Sequence, residues 1–293
     1  MPEETDAAGP NSPSVHAPAD SGWSATAKDY SNVTSYTLSL ATAAIDALQL
    51  TPGSSMIDVA CGPGDAALHA AIAHKANVTA IDFSEGMIAS AKKHPNASKA
   101  DGVMVGQALD FADSSFDAGL SCLGVYLFPD PMQGLRELVR VVRPSARIAI
   151  VSFAEGCSPM GAACGDFFAE LAPEAAPFPE LMGRTSDDGT LTAGTCKLTS
   201  IEGAQAALQA AGVTDASAWL VSQSLRAESA AGWLPAMMSN PFMQAILQRI
   251  DASKQDELSE RLVAHVDQKF KNAEGVVQVP ATAIVAVGTK ARA

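Results

Sequence analysis

The segment Asp58-Val59-Ala60-Cys61-Gly62-Pro63-Gly64 sets two glycines between an apolar run, Met56 to Ala60, and a helix-forming stretch that opens at about Asp65. Glycines in such a turn let the backbone approach a ligand, and the first N–H groups of the helix point at it. Asp82, 24 residues beyond Asp58, ends a second apolar run, and its carboxylate can accept hydrogen bonds from both hydroxyls of a ribose. Read as Gly62-x-Gly64-x-x-Ala67, the turn also fits a dinucleotide fingerprint. Asp58 separates the two readings, because a negative charge beside the turn suits a cationic amino-acid group and repels a pyrophosphate. Taken alone, Asp58 reads equally as a strand carboxylate satisfied by backbone N–H groups and Asp82 as a helix cap; with the turn between them they read as a site. The histidines His69, His74, His94 and His265 fall in no H-E-x-x-H or Cys-His spacing, so no metal site is expected. No G-x-S-x-G elbow appears, and Cys61 reads as a small packing residue.

These residues need a parallel sheet edge to position them. Apolar runs alternate with helical patterns: a helix from about Ser35 to Leu48, a strand Met56–Ala60, a helix from Asp65, a strand Val78–Ile81 stopping at Asp82, and a helix holding Met87 and Ile88 with Ser84 as its N-cap. A third strand is expected at Val103-Met104-Val105 and a fourth at Phe116 to Ser121. Asp130 as N-cap and Pro131 in the first turn begin a helix with Leu135, Leu138, Val139 and Val142 on one face, which Arg143-Pro144 is expected to end. Strand five is Arg147 to Val151. Residues 152–198 show no clear period and read as an irregular insertion. A capping box, Thr199-Ser200-Ile201-Glu202, then opens a helix closed by Gly212. A strand from Val213 to about Leu225, helical material from Glu228 to Lys271 broken at Pro241, and a last strand Ala281–Val287 complete the chain. The class is α/β with a parallel sheet covered by helices.

Composition narrows the partners. Nineteen basic against 32 acidic residues give a net charge of −13, which repels a phosphate backbone, and no basic stripe is present, so nucleic acid is not expected. The same sign disfavours anionic lipid, and no apolar run approaches the roughly 20 residues that span a bilayer. Five cysteines without a CxxC pair read as reduced thiols, and a cytoplasmic protein with a small-molecule partner fits best. Residues 1–22, rich in Pro, Ala, Asp and Glu, are expected to be a disordered tail, with a single domain over 23–293 that carries cap insertions at about 152–198 and 228–271.

The glycine turn and the segments after it resemble the class I S-adenosylmethionine-dependent methyltransferases, in particular the type-11 group that includes the ubiquinone and menaquinone biosynthesis enzymes. Met56 to Gly64 resembles the first family motif, Val78 to Met87 the second-strand motif, Gly106-Gln107-Ala108-Leu109 the adenine loop, and Ser115-Phe116-Asp117 the start of the fourth strand. Phe128-Pro129-Asp130 and Val141-Val142-Arg143-Pro144 continue in order. The resemblance covers Trp23 to Phe153 well and returns at Leu208-x-x-Ala211-Gly212. It implies a Rossmann-like, mostly parallel seven-stranded sheet with helices on both faces and a helical cap. It further implies S-adenosyl-L-methionine as cofactor and methyl transfer to a small-molecule acceptor. Asp58, Gly62 and Gly64 would surround the methionine part of that cofactor, Asp82 would hold its ribose, and Phe83 and Met87 would lie beside its adenine. Gly106, Gln107 and Ala108 would line the adenine edge, Ser121 the far end of the pocket, and Tyr30 would close over the amino-acid end as part of a lid. No catalytic base is assigned. Ala60 and Ser145-Ala146 stand where the family usually has glycines, and Val105 where it often has an adenine-binding carboxylate. A non-catalytic cofactor-binding regulator and a nicotinamide-dependent oxidoreductase are the alternatives. Among the apolar residues of the cap, Phe167, Phe168, Phe178, Met182, Trp233, Met237, Met238, Phe242 and Met243 are expected mostly to pack a core, with a hydrophobic substrate face as the other reading.

Overall fold

The structure is a computed structural model that describes residues 22–27, 30, 34–93, 100–103, 106–171, 197–248 and 250–292. A mixed α/β sheet organises it. In space the strands run β3 (Ala100–Val103), β2 (Asn77–Asp82), β1 (Ser55–Val59), β4 (Phe116–Cys122), β5 (Val142–Phe153), β7 (Val277–Lys290) and β6 (Val213–Ala227). The first five are parallel, with Met56 beside both Val78 and Ala118, while β7 lies antiparallel between β5 and β6, with Ile150 opposite Ala286. The chain leaves β1 toward β2 on one side and reaches β4 on the other, so the order reverses at β1. A crevice opens there beyond the carboxyl ends of the strands.

Helices α2 (Thr34–Ala47) and α3 (Asp65–Ala73) pack on each other, as do α5 (Pro131–Val141) and α7 (Ile201–Ala210), while α4 (Glu85–Ala91) covers β2 and β3. Helix α5 shows why these elements form where they do. Asp130 accepts the Gln133 N–H at 3.0 Å, Pro131 needs no donor in the first turn, and Leu135, Leu138 and Val139 are buried along one stripe. Each such side chain contributes about 2 kcal/mol by leaving water.

A second apolar core lies apart from the one around the sheet. It joins α6 (Pro159–Leu171), α8 (Ala230–Ser239), α9 (Pro241–Leu247) and α10 (Ala252–Phe270) to the ends of β6, through Leu225, and β7, through Val277 and Val279. Four expectations change here. Residues 159–171 are helical, not irregular: Met160, Ala163, Cys164, Phe167 and Phe168 fall on one face, a period that the small residues between them obscure. Strand β5 starts at Val142 and runs through Arg143-Pro144, because α5 hands over directly and a register shift against β4 absorbs the proline. The N-cap of α7 is Ser200, whose hydroxyl accepts the Gly203 N–H at 3.0 Å; Gly203 in place of an acidic residue there means that no capping box forms. Strand β3 starts at Ala100, earlier than Val103, whereas Met104 and Val105 lie outside the described residues, as do the expected tail up to residue 21 and the cap residues Phe178 and Met182.

Candidate cofactor and active site

The turn after β1 is built on left-handed backbone. Ala60, Gly62 and Gly64 have φ of 60°, 55° and 90°, and Gly64 is the N-cap of α3. Glycine takes these angles at no steric cost. A Cβ on Gly62 would meet no atom within 4 Å, so that face of the turn is open. Ala60 holds the same conformation with a side chain, and Ser145 does so at φ 67°. These are two of the positions where the sequence departs from the family's glycines.

Asp58 is fully buried on β1, and neither of its carboxylate oxygens has a hydrogen-bond partner. Burial, helped by the nearby charge of Asp82, pushes its pKa up to about 7. A strand carboxylate kept for structure would be satisfied by backbone donors; this one is not. Its chemistry calls for a cationic or donating group brought from outside the chain.

Asp82 is also buried, but it is braced. Its Oδ2 accepts the Gly62 N–H at 2.9 Å and its Oδ1 accepts the Ser84 N–H at 2.9 Å, so it ties the turn to the start of α4. Burial raises its pKa against the lowering effect of the Ser84, Gly62 and Phe83 N–H groups. With three N–H groups on its roughly four lone-pair sites, the carboxylate keeps acceptor capacity for a ligand hydroxyl. Ser84, not Asp82, caps α4 by accepting the Met87 N–H at 3.3 Å. Phe83 is half-buried and Met87 buried beside this corner.

The loop at Gly106, Gln107 and Ala108 lies close by, but its members differ. A Cβ on Gly106 would meet the Phe128 ring at 2.5 Å, so this glycine serves packing; Gln107 is half-buried and Ala108 exposed. The loop is held by residues that the sequence did not single out. Arg140 donates to the carbonyls of Leu109 and Phe111 at 2.8 and 2.7 Å and to Glu137 and Asp113, while Glu137 accepts the Leu109 N–H at 2.8 Å. The signal available was an acid–base pair spaced i,i+3 on the polar face of α5. Ser121 is fully buried, and its hydroxyl accepts the Val125 N–H at 3.0 Å, which fixes the short helical turn Val125–Leu127 after β4.

On the far side of that turn a partly open cavity of about 90 Å³ separates the sheet from the second core. All three tyrosines of the chain, Tyr30, Tyr36 and Tyr126, line it, with Phe153 stacked on Tyr36 at 6.4 Å. Trp233, Met237 and Phe242 close it from the cap, the first two also belonging to the second core, within which Phe167, Phe168 and Met243 pack. Helix α1 (Trp23–Thr26) clasps both sides. Ser24 shares a hydrogen bond with Ser84 and receives the Gly86 N–H, Thr26 donates to the Ser239 carbonyl at 2.8 Å, and Trp23 meets Tyr30 and Phe242 edge-on. Burial raises the pKa of Tyr30, with Cys122, Asp82 and Asp65 adding to it. Among the described residues no cluster of His, Cys, Asp or Glu can hold a metal, and no helix is long and apolar enough to cross a membrane.

Known proteins resemble this chain in sequence and in fold. A family model described as a methyltransferase domain, type 11, matches residues 57–150. The demethylmenaquinone methyltransferase of Corynebacterium glutamicum is 35% identical over 130 residues, 44% of this chain and 55% of that protein. The ubiquinone/menaquinone biosynthesis C-methyltransferase UbiE of Geotalea daltonii is 35% identical over 117 residues, 38% of this chain and 50% of that protein. The chain thus spans about half the length of the curated relatives it matches. Among solved structures, the YcgJ protein of Bacillus subtilis superposes with a TM-score of 0.52 at 16% identity over 88% of this chain and 99% of its own. A protein from an antibiotic biosynthesis pathway of Anabaena variabilis, assigned as a methyltransferase, does so with a TM-score of 0.57 at 17% identity, covering 85% and 96%. At these identities the superpositions establish the fold, and the match to the family model spans the strands and turns that carry Asp58, Gly62, Asp82 and the Arg140-braced loop. Over residues 57–150 this chain is therefore similar to the type-11 methyltransferase domains, within a fold that those solved structures share.

Proposed function

We propose that this chain binds S-adenosylmethionine at the β1 turn and transfers its methyl group to a small-molecule acceptor in the cytoplasm. The observation that carries the reading is Asp58, a carboxylate buried with both oxygens unpartnered beside a turn whose Gly62 face is open. An ammonium from the amino-acid end of such a cofactor supplies the partner that Asp58 lacks. Asp82 offers its remaining acceptor capacity to ribose hydroxyls, and the Gly106 to Ala108 loop fits the adenine edge. When bound, the cofactor supplies a methyl group activated by a sulfonium. The chain contributes alignment and exclusion of water, with α1 and Tyr30 covering the turn. No base is required for a displacement of this kind, and none is assigned. The net charge of −13 weighs against nucleic acid as acceptor.

Isothermal titration with S-adenosylmethionine and S-adenosylhomocysteine tests the reading. Both should bind, and Asp82→Asn should weaken both by about 1.5 kcal/mol, or roughly ten-fold, because a charged acceptor to two hydroxyls is lost. Binding of NADH in their place, or of neither ligand, refutes it.

A further inference from the structure

The cavity between the sheet and the cap lies where the two apolar cores meet, and its walls have a definite chemistry. Two aromatic rows face it: Tyr36, Phe153 and Tyr126 from the sheet side, with Phe153 to Tyr126 edge-on at 6.4 Å, and Tyr30, Trp23 and Phe242 from α1 and the cap. Seven of the chain's 16 aromatic residues line this one space once Trp233 is counted, although aromatics are only 5% of the sequence. Among the described lining residues there is no Asp, Glu, Lys, Arg or His. The space is about 90 Å³ and partly open, against the roughly 150 Å³ of an engineered apolar cavity that encloses benzene, so it seats one ring and leaves the rest of a ligand outside.

We propose that this cavity receives the methyl acceptor, and that the acceptor is an uncharged nitrogen or sulfur nucleophile on an apolar, ring-sized body whose methylated product is a cation. The proposal rests on the methyl-transfer reading above and adds the acceptor's chemical class. An anionic nucleophile would have to leave water for a cavity with no cation on its described walls, and it would feel the charges of Asp82 and Asp65 that already act on Tyr30. No carboxylate or imidazole stands among those described walls to take a proton, and burial holds the Tyr30 and Tyr36 hydroxyls in the protonated, donating form. An acceptor that enters neutral needs neither a counter-cation nor a base. Its lone pair forms the new bond to the methyl carbon while the carbon–sulfur bond breaks and its electron pair returns to sulfur, so the positive charge moves from the donor to the acceptor. The aromatic walls of the cavity favour that charge on the acceptor. An acceptor nitrogen bearing hydrogen gives up its proton to water after the product leaves.

The test is binding, independent of turnover. Titrations at pH 7.5, with the cofactor site saturated by S-adenosylhomocysteine, use three one-ring probes: N,N-dimethylaniline, N,N,N-trimethylanilinium and benzoate. The neutral amine and its methylated cation should each bind at least ten-fold more tightly than benzoate. Phe242→Leu should weaken the cation at least five-fold with S-adenosylhomocysteine affinity within two-fold of wild type, and Tyr36→Phe, which keeps the ring, should change the cation's affinity less than three-fold. Benzoate binding as tightly as the amine, or no probe binding to a protein that does bind S-adenosylhomocysteine, overturns this proposal alone. Failure of S-adenosylhomocysteine itself to bind overturns the methyl-transfer reading and this proposal with it.

Discussion

Replacing Asp58 by asparagine probes a carboxylate that the free protein holds at a cost. Its pKa of about 7 in the folded chain stands against 3.8 for an ordinary aspartate, so between those values the folded state binds a proton that the unfolded state has lost. Stability therefore falls as pH rises from about 4 and levels off above about 7. At 1.36 kcal/mol per unit the full penalty is on the order of 4 kcal/mol. Asp58→Asn removes the titrating group while keeping its shape. Urea denaturation of both proteins from pH 4.5 to 8.5 should show the variant gaining on the wild type steadily up to about pH 7 and holding that lead above it. The cofactor reverses the sense. An ammonium placed against Asp58 favours the ionised form, so at pH 6, below the raised pKa of Asp58, binding of S-adenosylhomocysteine should release a proton. Calorimetry in buffers of different ionisation enthalpy counts that proton, and Asp58→Asn should abolish the release and weaken binding ten-fold or more. Parallel denaturation profiles, together with no proton release by the wild type, would refute the assignment of Asp58 to the ammonium.

Ala60→Gly and Ser145→Gly should each stabilise the protein by up to about 1 kcal/mol in thermal or urea unfolding, since both residues hold left-handed backbone with a side chain attached. A loss above that size at either position would mean that the side chain contributes packing that outweighs its strain. Arg140→Ala should destabilise by about 2–3 kcal/mol and lower cofactor affinity roughly ten-fold, because the loop carbonyls of Leu109 and Phe111 lose their donor; unchanged affinity would separate the loop from the adenine. Gly62→Ala should cost only the roughly 1–2 kcal/mol of a left-handed residue in urea unfolding, since its Cβ meets no atom within 4 Å, yet should weaken cofactor binding at least ten-fold in titration.

Much of the sheet was readable because its strands are short, apolar on both faces and punctuated by turn residues, which is how β1, β2 and β4 present themselves in sequence. The grouping of Asp58, Gly62, Gly64 and Asp82 in one corner was readable for a related reason: glycines and carboxylates at strand ends have few structural uses. What stayed hidden depends on contacts that cross large sequence separations. Arg140 acts on carbonyls 29 and 31 residues earlier in the chain, and nothing local marks it as a clamp. Helix α6 was concealed by Ala, Gly and Cys, residues that carry little periodic signal however well they pack. The grouping of Tyr30, Tyr36 and Tyr126 around one cavity comes from the fold alone. Asp58 shows the converse: its type and place were legible, but that its oxygens lack partners is a property of burial.

Strand β7 comes after every other described element in sequence, yet it lies between β5 and β6, and it gives Val277 and Val279 to one core and Ala281 to Val287 to the other. Until it is made, β5 and β6 have no common neighbour, each presents an open edge, and neither hydrophobic core is complete. During synthesis on the ribosome the domain must therefore wait as an unfinished chain with two sticky borders, a state that invites chaperone capture or edge-to-edge aggregation. The same strand makes the two cores a single cooperative unit once folded, so that damage to it should melt the cap and the sheet together.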